Sequence, residues 1–314
     1  MKTALLFAGQ ATQYVGMGRH LRALPEGRAV FEAADDALGE KLSAVIFDGP
    51  EDALNRTENT QPAVLTVACA AWAVLDRRGF RPEVVAGHSL GEYGALVAAG
   101  ALGFGDAVRL VRRRGLYMQD AVPEGRGAMA AVLRLEPDAI AAACAEVEGY
   151  CEPAVFNAPG ATVISGEAAA VAAASELLRS RGAGITPLAV SAPFHCRLLA
   201  PAAERLAADL ATVPFGPLAL PYVSNVDATW VEVATADVLR DTLVRQVVGA
   251  VRWRESLELM IARGIERFWH LGPGRTNLGH VKRLARRAPM ASLDEPAELD
   301  ALLRALDADR KETV

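Results

Sequence analysis

Gly87-His88-Ser89-Leu90-Gly91 lies between the apolar run Val84-Val85-Ala86 and the small, largely apolar segment Tyr93–Ala99. This pattern predicts a strand, a tight turn and a helix, with Gly-x-Ser-x-Gly at the turn. The two glycines allow the backbone to fold sharply around Ser89 and to expose its Oγ above the sheet. The first turn of the helix then offers free N–H groups where a tetrahedral oxyanion would form. The stretch therefore predicts a nucleophilic serine, and the alternative is a serine that only caps the helix.

The composition of the 314-residue chain limits the classes of protein it could be. A hydrophobic content of 52% with 23% charged residues predicts one large domain, or one domain with an insertion. The net charge of −5 gives no electrostatic basis for binding nucleic acid. Four cysteines and five histidines show neither a C-x-x-C pair nor zinc-like spacing, so we expect reduced thiols and no metal. The longest apolar tract, residues 63–75, is too short to span a membrane, which predicts a soluble cytoplasmic protein.

The order of strand and helix patterns predicts an α/β fold with an insertion. Strands near residues 4–8, 83–86 and 266–271 alternate with amphipathic helical patterns, which favours a parallel sheet covered on both faces. Together with the serine turn, this predicts an α/β-hydrolase-like large subdomain formed by residues 1–125 and 191–314. Residues 126–190 follow the order βαββαβ, which predicts an inserted ferredoxin-like small subdomain.

A serine nucleophile needs a base, and the histidines are the candidates. His195 ends the turn Ser191–His195 after a predicted strand at 185–190, at the sheet edge where open α/β folds bind ligands. His270 ends an apolar strand and is equally typical of a core histidine. His20 and His280 lie in polar helical segments, where we expect surface side chains. Position alone therefore makes His195 a candidate base without excluding the alternatives.

Arg114 stands out because it falls on the apolar stripe of the helix predicted at 105–121. It follows Leu110 by four residues and Val111 by three. A guanidinium that faces the core is costly unless it meets an anion. The sequence leaves two readings open: an internal salt bridge with a carboxylate, or a site for an anionic substrate.

Several motifs in order resemble the malonyl-CoA:acyl carrier protein transacylases and the related polyketide synthase acyltransferase domains. The serine stretch Gly87–Tyr93 is similar to the nucleophile motif of that family, and the other matching segments extend over nearly the whole chain. They are Phe7-Ala8-Gly9-Gln10, Arg114-Gly115, Ser191–Cys196, Gln246 with Val251-Arg252-Trp253, and Leu271-Gly272-Pro273-Gly274. Ala8 replaces the proline that the family carries, and Thr276–His280 is more polar than usual there.

The resemblance implies a role for each matching residue. Ser89 would be the nucleophile, His195 its base, and Gln10 and Leu90 the donors of the oxyanion hole. Arg114 would bind the free carboxylate of malonate through two hydrogen bonds. The substrate site would be completed by three lining residues and by Gln246, which would orient the histidine through its backbone carbonyl; the lining residues are His88, Asn157 and Phe194. The phenylalanine favours malonyl over methylmalonyl groups. No metal or cofactor is implied, since the coenzyme A thioester is itself the substrate.

The resemblance predicts a malonyltransferase whose partners are malonyl-CoA and an acyl carrier protein, in fatty acid or polyketide synthesis. Two other enzymes remain as alternatives: a discrete trans-acting polyketide synthase acyltransferase, and an α/β-hydrolase-type thioesterase or esterase with a carboxylate beside its histidine. A catalytically silent partner protein is a further alternative, but it would have lost the serine or the histidine. A late basic segment either docks the carrier protein or coenzyme A, or is a solvated helix face; it comprises Arg275, Lys282, Arg283, Arg286 and Arg287.

Overall fold

The computed structural model describes residues 1–190 and 192–312. Ser191, where the large subdomain was expected to resume, and Thr313 and Val314 lie outside the described residues. The strands, numbered along the chain, are β1 (Thr3–Phe7), β2 (Val84–Gly87), β3 (Gly127–Leu133), β4 (Cys151–Ala158), β5 (Ala161–Glu167), β6 (Gly184–Pro187), β7 (Tyr222–Val223), β8 (Trp230–Val231), β9 (Arg267–Leu271) and β10 (Met290–Ser292).

The helices are also numbered along the chain. They are α1 (Arg19–Arg22), α2 (Pro25–Leu38), α3 (Leu42–Asp48), α4 (Glu51–Asn55), α5 (Thr57–Arg77), α6 (Gly91–Ala98), α7 (Phe104–Asp120), α8 (Pro137–Ala145), α9 (Ala168–Ser180), α10 (Ala200–Thr212), α11 (Ala236–Val248), α12 (Trp253–Ala262), α13 (Thr276–Leu284) and α14 (Pro296–Glu312). A short 3-10 turn at Arg197–Leu199 precedes α10. The late basic segment was described as a possible helix face, but α13 ends at Leu284, so Arg286 and Arg287 lie beyond the helix.

A six-stranded sheet with the order β10-β9-β1-β2-β7-β8 forms the centre of the larger part. All of its neighbouring pairs are parallel except the β7–β8 hairpin. The registers Phe7↔Gly87, Phe7↔Leu271 and Ala86↔Val223 align the carboxyl ends of four strands at one edge. β1 and β2 are buried along their whole length, which explains their continuous apolar runs. The loops that leave this edge hold Gln10, Ser89 and Asn225.

A separate antiparallel sheet with the order β4-β5-β3-β6 forms the smaller part. Its elements follow one another as βαββαβ, as the sequence predicted. Side chains on β3 alternate between the two faces of this sheet: Ala130 and Val132 enter a small core beneath α8 and α9, whereas Met129 and Ala131 line a cavity. The small sheet therefore supplies one wall of a cleft whose other wall is the large sheet's carboxyl edge.

Two backbone hydrogen bonds at Val251 join the small sheet to the larger part of the protein. Its N–H donates to the Ala154 carbonyl (2.9 Å), and its carbonyl accepts from the Phe156 N–H (2.9 Å). β4 is thereby held beside the segment that begins α12. Val251 itself is fully buried. In the part of the chain that the structure describes, no helix is both long and apolar enough to cross a membrane.

Candidate active site

The turn between β2 and α6 is the sharp serine elbow that the sequence predicted. Ser89 adopts φ = 52°, a left-handed conformation that is uncommon for a residue with a side chain. A Cβ added at Gly87 would overlap the backbone of Gly91, and one at Gly91 would overlap the Phe7 carbonyl. Both glycines are therefore required by close backbone approach, and Ser89 projects from the top of the turn.

Asn225, which follows β7, locks this elbow. Its Oδ1 accepts from the Ser89 N–H (2.6 Å), and its Nδ2 donates to the Gly87 carbonyl (2.7 Å). Asn225 is fully buried, so these bonds are not weakened by water. The interaction closes a gap of 136 residues along the chain, and sequence reasoning missed it. Ser89 is thus held by its backbone while its hydroxyl is left for chemistry.

His195 lies at hydrogen-bond distance from the serine. Its Nε2 is 2.6 Å from Ser89 Oγ, and its Nδ1 is 2.9 Å from the backbone carbonyl of Gln246. That carbonyl is in the last turn of α11, where the helix itself supplies no donor. A carbonyl oxygen can only accept a hydrogen bond, so His195 Nδ1 carries the hydrogen. Nε2 is then the acceptor for the serine hydroxyl. His195, like Ser89, has a positive φ (60°).

The environment of His195 keeps it neutral. Burial, and then the positive charge of Arg114, lowers the pKa of His195 from 6.5 to about 3. The side chain is 4% exposed. A neutral imidazole can accept the serine proton at any pH near neutrality. The backbone carbonyl, rather than a carboxylate, at Nδ1 is the arrangement that the resemblance implied, and it disagrees with the esterase alternative.

Arg114 faces the interior of the cleft, and its side chain is 1% exposed. Its Nη1 donates to Gln61 Oε1 (2.8 Å), and its Nη2 donates to Gln246 Oε1 (2.9 Å) and Ser89 Oγ (3.2 Å). No carboxylate lies within salt-bridge distance of it among residues 1–190 and 192–308. The internal salt bridge that one reading of the sequence favoured is therefore absent there. The hydrogen-bond partners of the guanidinium are all neutral, while Glu92 interacts with it electrostatically without a direct contact.

Gln246 connects the serine, the histidine and the arginine. Besides its carbonyl bond to His195, its Nε2 donates to the Ser89 carbonyl (2.9 Å) and to Glu92 Oε2 (2.6 Å). Glu92 is completely buried, and burial raises its pKa from 4.5 to about 7 even though Gln246, Asn225 and Arg114 favour its charged form. Glu92 lies within the serine stretch Gly87–Tyr93, but no role was predicted for it. Its adjacency to the motif, as a charged residue in an otherwise small and apolar segment, was the available signal.

The remaining predicted site residues line one cavity of about 280 Å³ with Ser89 and Arg114. Gln10, His88, Asn157, Phe194 and His195 all belong to that lining. His88 Nε2 donates to Asn157 Oδ1 (2.9 Å) and does not point at Ser89 Oγ. Leu90 is buried and is absent from that lining, so the oxyanion role of its backbone N–H stays a prediction.

The position of His280 differs from the one that the sequence predicted. It was expected on the surface, but its ring lines the same cavity, 6.2 Å between ring centroids from His88. Burial lowers the pKa of His280 to about 3. His270 is fully buried with its Nε2 near the Pro273 carbonyl (3.1 Å), consistent with the core alternative. The described residues contain no group of three or more His, Cys, Asp and Glu side chains that could hold a metal ion.

Residues 4–269 match the acyl transferase domain family. The malonyl CoA-acyl carrier protein transacylase of Salmonella typhimurium is 44% identical over 305 residues, which are 96% of this chain and 98% of that protein. The chain belongs to the malonyl CoA-acyl carrier protein transacylase family.

Solved structures of similar transacylases agree with the fold. The acyl carrier protein S-malonyltransferase of Vibrio cholerae superposes with a TM-score of 0.92 at 42% identity, covering 96% of this chain and all of that one. A malonyl-transacylase solved with a type II PKS acyl-carrier protein superposes with a TM-score of 0.93 at 41% identity, covering 97% and 100%. The mixed α/β architecture with a parallel and a separate antiparallel sheet is therefore that of the transacylase family.

Proposed function

We propose that this transacylase moves the malonyl group from malonyl-CoA to the phosphopantetheine thiol of an acyl carrier protein, through a malonyl-Ser89 intermediate. The observation that carries the proposal is the buried triangle of Ser89, His195 and Arg114. It joins a nucleophile to a base and to a cation whose protein partners are all neutral. An esterase has no use for such a cation, and a silent partner protein has no use for the serine–histidine contact.

The first half-reaction follows from the direction of the hydrogen bonds. His195 Nε2 takes the proton of the Ser89 hydroxyl as Oγ attacks the thioester carbonyl. The negative charge that forms on the carbonyl oxygen is stabilised by the backbone N–H groups of Gln10 and Leu90. The carbon–sulfur bond then breaks, and His195 returns the proton to the coenzyme A sulfur. The carrier protein's thiol reverses these steps, so each proton removed is restored.

Arg114 would select malonate by its free carboxylate. The guanidinium lines the cavity, and its buried Nε–H has no acceptor within the described residues. A carboxylate can accept two parallel hydrogen bonds from this group. The cavity wall near the malonyl α-carbon is apolar and includes Met129, Val190 and Phe194. We expect one extra methyl group there to be disfavoured by about 1–3 kcal/mol.

The late basic segment would receive the phosphates or the acidic carrier protein. The cavity shares residues with an outer groove, and that groove leads past Arg283 to a third one lined by Lys282 and Arg286. Arg275 instead pairs with Glu298 and is not part of this surface. Three cations at the end of the path would attract an anionic donor and an anionic acceptor alike.

The proposal needs no cofactor other than the coenzyme A thioester, because each step has been assigned to this chain's own groups. We also propose that residues 1–125 and 191–314 form an α/β-hydrolase-like unit and that residues 126–190 form a ferredoxin-like one. The parallel sheet with its serine elbow supports the first assignment, and the βαββαβ order with an antiparallel sheet supports the second.

Intact mass after mixing with malonyl-CoA tests the function. We expect the enzyme to gain one malonyl group, Ser89→Ala to gain none, and the group to leave when holo carrier protein is added. No adduct on the unaltered enzyme would contradict the proposal. The neighbour that was solved with a type II PKS acyl-carrier protein favours polyketide synthesis as a second candidate pathway. Comparing kcat/KM for carrier proteins of both pathways decides between them.

A further inference from the structure

The inner cavity and the outer groove adjoin at a set of shared lining residues, which we call the neck. Both spaces are lined by the same five residues: Ala131, Asn157, Val163, Thr276 and His280. The inner side of the neck opens on Ser89, and the outer side opens toward Arg283 and the basic groove. A ligand that reaches Ser89 from the basic surface along these connected spaces therefore passes His280 and Asn157.

Two polar groups in the neck have no hydrogen-bond partner among the side chains and backbone that the structure describes. Asn157 Oδ1 is occupied by His88, but its Nδ2 donates to no acceptor in the described part of the chain. The Nδ1 of His280 is buried and likewise unpartnered within residues 1–190 and 192–308. Buried polar atoms are paired in most native proteins, so the unpaired Nδ1 of His280 calls for an explanation. A bound polar ligand could form hydrogen bonds with both Asn157 Nδ2 and His280 Nδ1.

The charge state of His280 fixes which kind of ligand fits. Burial, followed by the proximity of His88 and Arg283, lowers the pKa of His280, so the ring is neutral near pH 7. A neutral imidazole has one N–H donor and one acceptor nitrogen. Asn157 Nδ2 adds a second donor, held in place because His88 fixes the opposite oxygen of the same amide. The neck therefore suits a neutral group that both accepts and donates a hydrogen bond, not an ion.

The thioester substrates of the proposed function carry such a group at the required place. Coenzyme A and the carrier protein hold the reacting sulfur on the same arm, which has two amides between the sulfur and the phosphate. With the thioester at Ser89 and the phosphate at the basic groove, an amide of the arm crosses the neck. Its carbonyl meets a donor, and its N–H meets the acceptor nitrogen of the imidazole.

We propose that His280, together with Asn157, is an amide-binding clamp that positions the arm of both thioester substrates. This inference rests on the proposed function and extends it to a residue that the sequence suggested would be on the surface. Because the clamp acts on the arm and not on the reacting carbonyl, it contributes to binding and leaves the chemistry at Ser89 unchanged. Its loss therefore raises KM and spares kcat.

The test pairs two variants with two substrates. His280→Leu removes both ring nitrogens, and His280→Gln restores one donor and one acceptor on a flexible side chain. The substrates are malonyl-CoA and the malonyl thioester of ethanethiol, which has no amide. We expect His280→Leu to raise the KM for malonyl-CoA about five- to tenfold at constant kcat, the value of one or two hydrogen bonds. The kcat/KM for the amide-free thioester should stay constant, and His280→Gln should recover most of the lost affinity.

His20→Leu is the matched control, because His20 is also a half-buried helical histidine but bonds to the Leu293 carbonyl outside the cavity. It should leave both substrates unaffected. Equal losses of His280→Leu on the two thioesters would mean a distorted pocket and would overturn the clamp, as would an unchanged KM for malonyl-CoA. Failure of the proposed function is seen separately, as a wild-type enzyme that malonyl-CoA does not modify.

Discussion

Replacing Arg114 by alanine separates a malonyl transferase from a general acyl hydrolase. In the folded protein the guanidinium is fully buried and bonds to Gln61, Gln246 and Ser89, all of them neutral. In the malonyl complex it would gain a carboxylate. The substitution removes this charge from the cavity and leaves the Ser89–His195 contact in place. We therefore expect a change of substrate preference and not a loss of all activity.

The size of the effect follows from the burial of Arg114. Losing one side of a desolvated, hydrogen-bonded charge pair costs about 2–5 kcal/mol. At about 1.4 kcal/mol per factor of ten, kcat/KM for malonyl-CoA should fall by about 30-fold to 4,000-fold. Acetyl-CoA has no carboxylate to lose, and its acyl group would no longer lie beside a buried cation whose hydrogen-bond partners are all neutral. Its turnover should hold or rise. Arg114→Lys should recover little, because an ammonium cannot form the two parallel bonds.

The assay measures kcat/KM for malonyl-CoA and acetyl-CoA with the same carrier protein. Arg113→Ala is the matched control, since Arg113 neighbours Arg114 on α7 but is half exposed and pairs with Asp209. It should change neither value. The melting temperature of Arg114→Ala is expected to fall modestly, because two buried glutamine oxygens lose a donor. The ratio of kcat/KM for malonyl-CoA to kcat/KM for acetyl-CoA is therefore the deciding measurement. An equal fall of kcat/KM for both substrates would refute the proposed binding of the malonyl carboxylate by Arg114.

Three further predictions concern charge. The buried histidines His195, His270 and His280 have pKa values of about 3, 4 and 3, below the ordinary 6.5, because burial disfavours their charged forms. Below pH 6.5 the unfolded chain therefore binds more protons than the folded protein. The free energy of unfolding, measured by urea denaturation, should fall as the pH is lowered from 6.5, by roughly 1.4 kcal/mol per pH unit for each histidine. A free energy of unfolding that does not change with pH would contradict this. Glu92 titrates near pH 7 beside Arg114, so the KM for malonyl-CoA should rise as pH increases through 7. That rise should be absent in Glu92→Gln and present in the surface control Glu255→Gln. Charge reversal at Lys282 and Arg286 should raise the KM for carrier protein and flatten its salt dependence, whereas an unchanged KM at low salt would favour a solvated surface.

Local sequence patterns predicted much of the fold and the centre of the site. The elbow could be predicted because close backbone approach admits only glycine at positions 87 and 91, and that restriction is visible in the sequence. The inward direction of Arg114 followed from helical periodicity alone. The βαββαβ order of the small part followed from alternating patterns and turns, although β6 ends at Pro187 instead of the expected Val190. These features depend on neighbours within a few residues.

What the tertiary structure decided was which groups meet across long separations. The sequence could not indicate that Asn225 fastens Ser89 or that Gln61 receives Arg114, because these contacts join residues 136 and 53 positions apart. It also misplaced His280, whose polar neighbours on α13 resemble a surface helix until the small sheet covers that face. The burial of a side chain depends on the element packed against it, and the periodicity of its own element does not reveal that partner. Local residue chemistry thus determined the elbow and the inward arginine, while the approach of the two sheets determined the cavity, its charge states and the neck.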